Sequence, residues 1–340
     1  LSKFGISTLV TSGGTNDANI AAVALGGMTK GITPLDLTNA YGAIANKGIL
    51  NEVNTYKTVK NSKGDVILEN VGKQTYIVDE NVAYIVQDMM KTSVESGVAT
   101  PAKLSANNDI IQVAGKTGTT SSNIDAWFIG YTPYYVGGIW FGNDTNIPLD
   151  QGSRIAAQFW KTVMADIHVD FEPRVFDVPT GIVTATVDII SGKLPSELSA
   201  LDPRGTVRTE IFLRGTEPTE TDDIHVMADI CTESGKLATE FCPTTLVESR
   251  LFVQRPVPYN PAEHLDGRGN PIMLRDSGYD LPIEPCDVHS AETVTTEEET
   301  TGTPYQGVVP LVRLSDGSLY VQRRYPIEMT SGQTVVLPAG

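Results

Sequence analysis

Residues 114–133, AGKTGTTSSNIDAWFIGYTP, decide how the chain is read. The runs Ile110 to Gly115, Ala126 to Tyr131 and Tyr135 to Gly142 are rich in branched and aromatic residues. Polar or Pro-containing turns separate them, so the spacing predicts three consecutive antiparallel strands. Lys116-Thr117-Gly118-Thr119 stands at the end of the first run. On an edge strand, Gly118 lets an extended backbone lie alongside without meeting a Cβ. Lys116 brings positive charge toward a carboxylate or a proton-relay hydroxyl, and Thr119 offers a hydroxyl and a backbone N–H. A Lys-Thr-Gly triplet is also common in ordinary turns, so its surroundings decide its meaning.

Upstream, residues 33–48 read as a helix. Thr33 can cap it, Pro34 fits its first turn, Leu37, Ala40, Tyr41 and Ile44 recur at helical spacing, and Gly48 stops it. A hairpin follows, Tyr56 to Lys60 and Asp65 to Leu68 around Asn61-Ser62-Lys63-Gly64. A second amphipathic helix runs from about Asn81 to Gly97, with Met89 and Met90 expected to fill core space. Downstream, Gly152 to about Ile167 returns to helical period through Ala156, Phe159, Trp160 and Val163, predicting a helix across the sheet. These elements make residues 1–168 one unit.

From about Phe171 the chain turns to Pro, Thr and short β-type runs that repeat roughly every forty residues. Ser191-Gly192-Lys193-Leu194 recurs as Ser234-Gly235-Lys236-Leu237, Glu210-Ile211-Phe212 as Arg250-Leu251-Phe252, and His225 as His264. Residues 169–290 therefore read as two small β units. Residues 291–304 read as an acidic Thr/Glu-rich linker, and 305–340 as a short hairpin or tail with a turn at Ser315-Asp316-Gly317-Ser318.

The 340 residues carry a formal net charge of -16 with a pI near 4.6, which argues against nucleic acid as a partner. No run of 18 or more apolar residues occurs, and the start, Leu1-Ser2-Lys3, has neither Met nor a signal-like pattern. The expectation is a C-terminal part of a longer protein.

Three blocks in order, ALGGMTKGITPLDLTNAYGAIANKG, AGKTGTTSSNIDAWFIGYTP and GGIWFGND, resemble class A penicillin-binding proteins over about residues 1–168. The resemblance implies an α+β fold, an antiparallel sheet flanked by helices, penicillin-binding/serine β-lactamase-like with its N-terminal part missing and followed by small β units. It implies the C-terminal portion of a serine-type D-Ala-D-Ala transpeptidase that cross-links peptidoglycan stem peptides through an acyl-serine. The full enzyme would be bifunctional, with an upstream glycosyltransferase and membrane anchor, at the extracytoplasmic face of the bacterial cell membrane. Its partners would be stem peptides or the lipid-linked precursor polymer, and β-lactams, with the membrane reached only through the absent anchor. By the same resemblance Lys116 and Thr119 are catalytic, and Lys116, Thr117, Gly118 and Thr119 bind substrate, the Thr119 N–H facing the oxyanion.

No serine here is followed three residues later by lysine, so the nucleophile's S-x-x-K motif is absent. Ser105-Ala106-Asn107 and Ser121-Ser122-Asn123 have the form of the family's S-x-N motif but lie too close to Lys116. This polypeptide alone is expected to be inactive. The alternatives are a D,D-carboxypeptidase or serine β-lactamase-like fragment, or a non-enzymatic cell-wall binding or scaffold protein built on residues 171–290.

No cofactor is expected of this chemistry. Cys231, Cys242, Cys286 and His289 could nonetheless bind zinc as three Cys and one His, although ten residues separate the first pair where two to four are usual. A Cys231 to Cys242 disulfide, or three buried thiols, are the alternatives. His168, His225 and His264 lack sequence-near partners and read as structural, and Asp125 as a turn cap. Trp127, Phe128, Trp140 and Phe141 are expected to fill the space between sheet and helices.

Overall fold

A computed structural model describes residues 1–18, 20–104, 111–257, 259, 261–272, 274, 276–291, 311–313 and 319–321. The chain divides into two compact units, Leu1–Asp223 and Ile224–Gly340.

In the first unit a short helix α1 (Ile20–Ala24) precedes α2 (Pro34–Ala45). Thr33 caps α2 by accepting the Asp36 N–H at 3.0 Å, which satisfies one of the orphan donors of the first turn. The chain leaves α2 through Gly48, whose φ of +85° and closeness to the Val78 carbonyl exclude any side chain. Strands β1 (Ile49–Asn51) and β4 (Gln74–Tyr76) pair, and inside them β2 (Thr58–Lys60) pairs with β3 (Val66–Glu69) around the expected turn. Asn61 Oδ1 closes that turn by accepting the Lys63 and Asp65 N–H groups, each at 2.9 Å.

Helix α3 (Glu80–Glu95) is capped by Asp79 and buries Ala83, Gln87, Met90 and Val94. The methionine pair divides: Met90 is buried, whereas Met89 is 69% exposed, because neighbouring helical residues point about 100° apart. The sheet consists of β5 (Ala114–Thr119), β6 (Ala126–Tyr131) and β7 (Val136–Phe141), antiparallel and in sequence order. In its register Lys116 faces Ile129, Gly118 faces Trp127, and Ile129 faces Gly138. The first strand thus begins at Ala114, later than the apolar run from Ile110 suggests. Helix α4 (Arg154–Ile167) lies on one face, burying Ala156, Ala157, Trp160 and Met164.

Two apolar layers result. Phe128 and Trp160 meet edge to face at 5.3 Å, in a core with Val94, Ile111 and Val113. A second cluster joins Met90, Ala114, Tyr131 and Phe176, with Tyr41 and Ile44 of α2 packed against it. At β7 both helices come close to the strand backbone. A Cβ on Gly137 would meet Trp160 at 3.0 Å, and one on Gly138 would run into Thr38 of α2. The α+β reading holds, but not every aromatic fills the interior. Phe128 is fully buried, whereas Trp140 is 39% exposed and pairs across the strands with the half-buried Trp127 at 6.1 Å. Adjacent residues of a strand point to opposite faces, so Trp127 cannot share the Phe128 layer.

Further along, β8 (Ile182–Asp188) pairs with β9 (Val207–Leu213), and in the second unit β10 (His225–Cys231) pairs with β11 (Val247–Val253). Ala185 faces Glu210 and Ala228 faces Arg250, so the tripeptides read as repeated occupy matching places. His225 opens β10 where Ile182 opens β8, and its expected counterpart His264 instead stacks on Tyr259 at 4.7 Å. Ser105-Ala106-Asn107, most of the acidic linker and the Ser315–Ser318 turn lie outside the described residues. Leu311–Arg313 and Leu319–Val321, which flank that turn, pair as β12 and β13. Among the described residues no helix is long and apolar enough to cross a membrane.

Candidate functional site

Lys116, Thr117, Gly118 and Thr119 form the second half of β5. Burial falls along it: Ala114 and Gly115 are buried, Thr117 and Gly118 half-buried, Lys116 and Thr119 exposed. Among the described residues β5 pairs only with β6, so its outer edge carries backbone donors and acceptors that no strand uses. The Lys116 ammonium donates to the Thr117 carbonyl at 2.7 Å, which holds the charge against its own strand. A Cβ on Gly118 would come to 3.3 Å of Trp127 Cβ, so glycine keeps the strand thin where it crosses β6.

The turn after β5 is tied at several points. Asp125 donates its N–H to Thr120 Oγ1 at 2.8 Å, and that hydroxyl donates back to Asp125 Oδ2 at 3.1 Å. Trp140 donates its indole N–H to Asp125 Oδ1 at 2.9 Å. Ser122 and Asn123 take left-handed φ values of 60° and 54°, and the Asn123 carbonyl accepts the Leu149 N–H at 2.8 Å. Asp125 therefore caps the turn, as its sequence setting suggests. Its grip on Trp140 depends on two strands meeting and left no local signal. Ser121-Ser122-Asn123 is part of this same exposed turn.

His168 closes α4 as a structural residue. It is buried, with Nε2 at 2.8 Å from Thr132 Oγ1 and Nδ1 at 2.7 Å from the Met164 carbonyl. Both ring nitrogens are satisfied when Nδ1 carries the proton and Nε2 accepts from the hydroxyl.

The second unit gathers Cys231, Cys242, Cys286 and His289, whose candidate ligand atoms all lie within 4.8 Å of one another. All three thiols are free and buried. His289 Nδ1 lies 3.5 Å from Cys231 Sγ and 3.4 Å from Cys286 Sγ, while Nε2 faces Glu233 Oε2 at 3.2 Å. A hydrogen bond from the Ser234 side chain and the N–H groups of Val288 and His289 lower the Cys286 thiol to about 6. Burial pushes the Cys242 thiol up.

Comparison with known proteins divides the chain after α4 rather than at the boundary between the two compact units. Residues 3–165 match the penicillin-binding protein transpeptidase domain. Residues 178–227 and 226–262 match the penicillin-binding protein 1A C-terminal domain, one match over each β repeat. Penicillin-binding protein 1A of Clostridium botulinum (strain Langeland) is 42% identical over 268 residues, 78% of this chain and 32% of that protein. The Clostridium novyi protein of the same name is 35% identical over 254 residues, 74% of this chain and 29% of its own length. The chain thus spans about a third of the length of the curated relatives it matches, 32% and 29%. The crystal structure of penicillin-binding protein 1A from Haemophilus influenzae superposes with a TM-score of 0.51 at 22% identity, over 65% of this chain and 37% of that one, which supports the fold. The chain belongs to the penicillin-binding proteins of the 1A type, contributing part of the transpeptidase domain in residues 3–165 and its C-terminal domain in residues 178–262.

Proposed function

We propose that residues 1–168 are the substrate-gripping part of a serine-type D-Ala-D-Ala transpeptidase that cross-links peptidoglycan stem peptides and binds β-lactams. The observation that carries this reading is the placement of Lys116, Thr117, Gly118 and Thr119 on a strand whose outer edge is open among the described residues. An extended stem peptide can add to that edge as an extra strand, its backbone paired and its side chains alternating. Lys116 supplies positive charge toward the substrate carboxylate and the reacting hydroxyl, Thr117 and Thr119 hydrogen-bond the substrate, and the Thr119 N–H polarises the carbonyl under attack. The attacking serine is not supplied by these 340 residues, which hold no S-x-x-K. In this reading the chain works at the extracytoplasmic face of the cell membrane, on a polymer delivered there.

Two experiments test it. The purified 340-residue chain exposed to a fluorescent penicillin is expected to take no covalent label, and acylation would overturn the role given to it. In a chimera where this chain replaces the matching 268 residues of the Clostridium botulinum relative, labelling is expected. There, Lys116→Ala or Gly118→Val should slow acylation about 10²-fold or more. Unchanged labelling in both variants would remove β5 from the site.

A further inference from the structure

The two β repeats are built on the same backbone scaffold and differ at the positions where that scaffold converges. In the first, the Asp188 N–H bonds to Lys193 O, Gly192 N–H to Asp188 O, Leu194 N–H to Glu220 O and Asp222 N–H to Leu194 O. In the second, Cys231 bonds to Lys236, Gly235 to Cys231, Leu237 to Glu284 and Cys286 to Leu237, atom for atom. Gly192 and Gly235 share a φ of 71°. The flanking lysines match too, Lys193 reaching Glu220 and Asp223 as Lys236 reaches Glu284 and Asp287.

On this scaffold Cys231 stands in the place of Asp188 and Cys286 in that of Asp222. Cys242 lies 43 residues after Ser199, as Cys231 does after Asp188. The first repeat fills these positions with buried oxygens held by hydrogen bonds. Asp188 Oδ1 accepts the Ile190 and Ser191 N–H groups at 3.0 and 2.9 Å, and Ser196 Oγ donates to Asp222 Oδ2 at 2.9 Å. In the second repeat all three positions are thiols, and His289 completes the set. Three thiols are poor hydrogen-bonding groups and hold little apolar surface, yet with Ala238 and Val247 they make up the apolar cluster at this end of the unit.

We infer that Cys231, Cys242, Cys286 and His289 bind one zinc ion as a closed tetrahedral structural site that takes the place of a hydrophobic core in the second unit. The geometry fits. Zinc–sulfur bonds of about 2.3 Å and zinc–nitrogen bonds of about 2.0 Å give a tetrahedron whose sulfur-to-nitrogen edge is about 3.5 Å. The Nδ1 separations from Cys231 and Cys286 are 3.5 and 3.4 Å. The outer shell fits as well, since Glu233 receives the Nε2 proton and leaves Nδ1 with its lone pair toward the sulfurs. The Thr239 N–H donates to Cys242 Sγ at 3.3 Å, the kind of bond that steadies a thiolate. Four protein ligands, three of them buried, leave no position for substrate, so the role is folding rather than catalysis. Binding replaces the protons of the three thiols, which pass to solvent, and involves no change of oxidation state.

The test uses the whole chain, purified reduced and without chelator from zinc-supplemented culture. Mass spectrometry of metal content is expected to give one zinc per chain. All three thiols should resist alkylation until a chelator is added with denaturant. Replacement by cobalt should give the intense visible bands of a tetrahedral thiolate site. Glu233→Gln should weaken zinc affinity about 10-fold or more. Because Cys286→Ser removes a ligand on which folding of the unit depends, a second variant combines Cys231→Val, Cys242→Val and Cys286→Val, which replaces the thiols by apolar side chains that bind no metal. It should fold and bind no zinc. Substoichiometric zinc after reduction and reconstitution, a disulfide that forms with zinc present, or undiminished zinc in the triple variant would each overturn the inference.

Discussion

Trp140 on β7 donates its indole N–H to Asp125 at 2.9 Å, so the turn leaving the Lys-Thr-Gly strand is fastened to a strand that is not its neighbour. Asp125 also holds Thr120 through two bonds. Asp125→Ala is expected to lower unfolding free energy by about 1–2 kcal/mol, a value set by partly exposed hydrogen bonds to a charged group. Urea unfolding followed by tryptophan emission checks this. Asp125→Asn retains Oδ1 as an acceptor and should lose less.

Gly138 meets Thr38 so closely that a methyl group has no room. Gly138→Ala should destabilise by about 1–3 kcal/mol through overpacking. Thr38 is pinned there by its bond to the Pro34 carbonyl at 2.7 Å. Thr38→Ala opens the space, so the double variant should be more stable than the sum of the single changes predicts. Strict additivity would show that the helix simply moves away.

Trp160 is 1% exposed, packs on Phe128 and donates its N–H to the Gly137 carbonyl at 3.0 Å. Trp160→Ala removes the centre of the larger core and should cost about 3–5 kcal/mol. Trp160→Phe keeps most of the volume and should cost clearly less. Denaturant midpoints at matched slopes decide between them.

Asp36 accepts both the N–H and the hydroxyl of Ser7, at 3.0 and 2.6 Å, and these bonds, the hydroxyl first, hold its carboxyl below the usual range. A carboxylate with a lowered folded-state value contributes stability that is present above its unfolded value and lost as pH falls through the folded one. Protection of the Ser7 amide in hydrogen exchange should therefore persist near neutrality and decline on acidification below about pH 4. Asp36→Asn should abolish that pH dependence.

Helices α2, α3 and α4 were legible because capping and periodicity are local, Thr33, Pro34 and Gly48 marking one of them without help from elsewhere, whereas the five-residue α1 is too short to show a period. The sheet was legible for the same reason, and with it the strand bearing Lys116, though its first residue was displaced toward the apolar Ile110. What the sequence could not show are distances across the fold. Trp127 and Phe128 look alike in a β-rich run, and only the register reveals that one is buried and the other half open. The four residues Cys231, Cys242, Cys286 and His289 were legible as a candidate set, but their closeness in space was not. Their spacing is unusual because these side chains come from one strand end, one turn and one distant loop, brought together by the Leu237 bridge to Pro285. The correspondence of Cys231 with Asp188 rests on shared backbone bonds, which no residue identity announces.

The outer edge of β5, unpaired among the described residues, has a second consequence, for self-association. An unpaired strand edge accepts any extended backbone, including that of another copy of the same chain. A charged lysine in the middle of such an edge is a common guard against this pairing, because stacking two copies would bring like charges together. Lys116 occupies that place and is exposed. Lys116→Val should therefore make the purified chain scatter light at lower concentration, and with more growth over time, than the unmodified chain. Under the proposed function a strand that receives one peptide must also refuse its own kind, and the same ammonium group would serve both tasks.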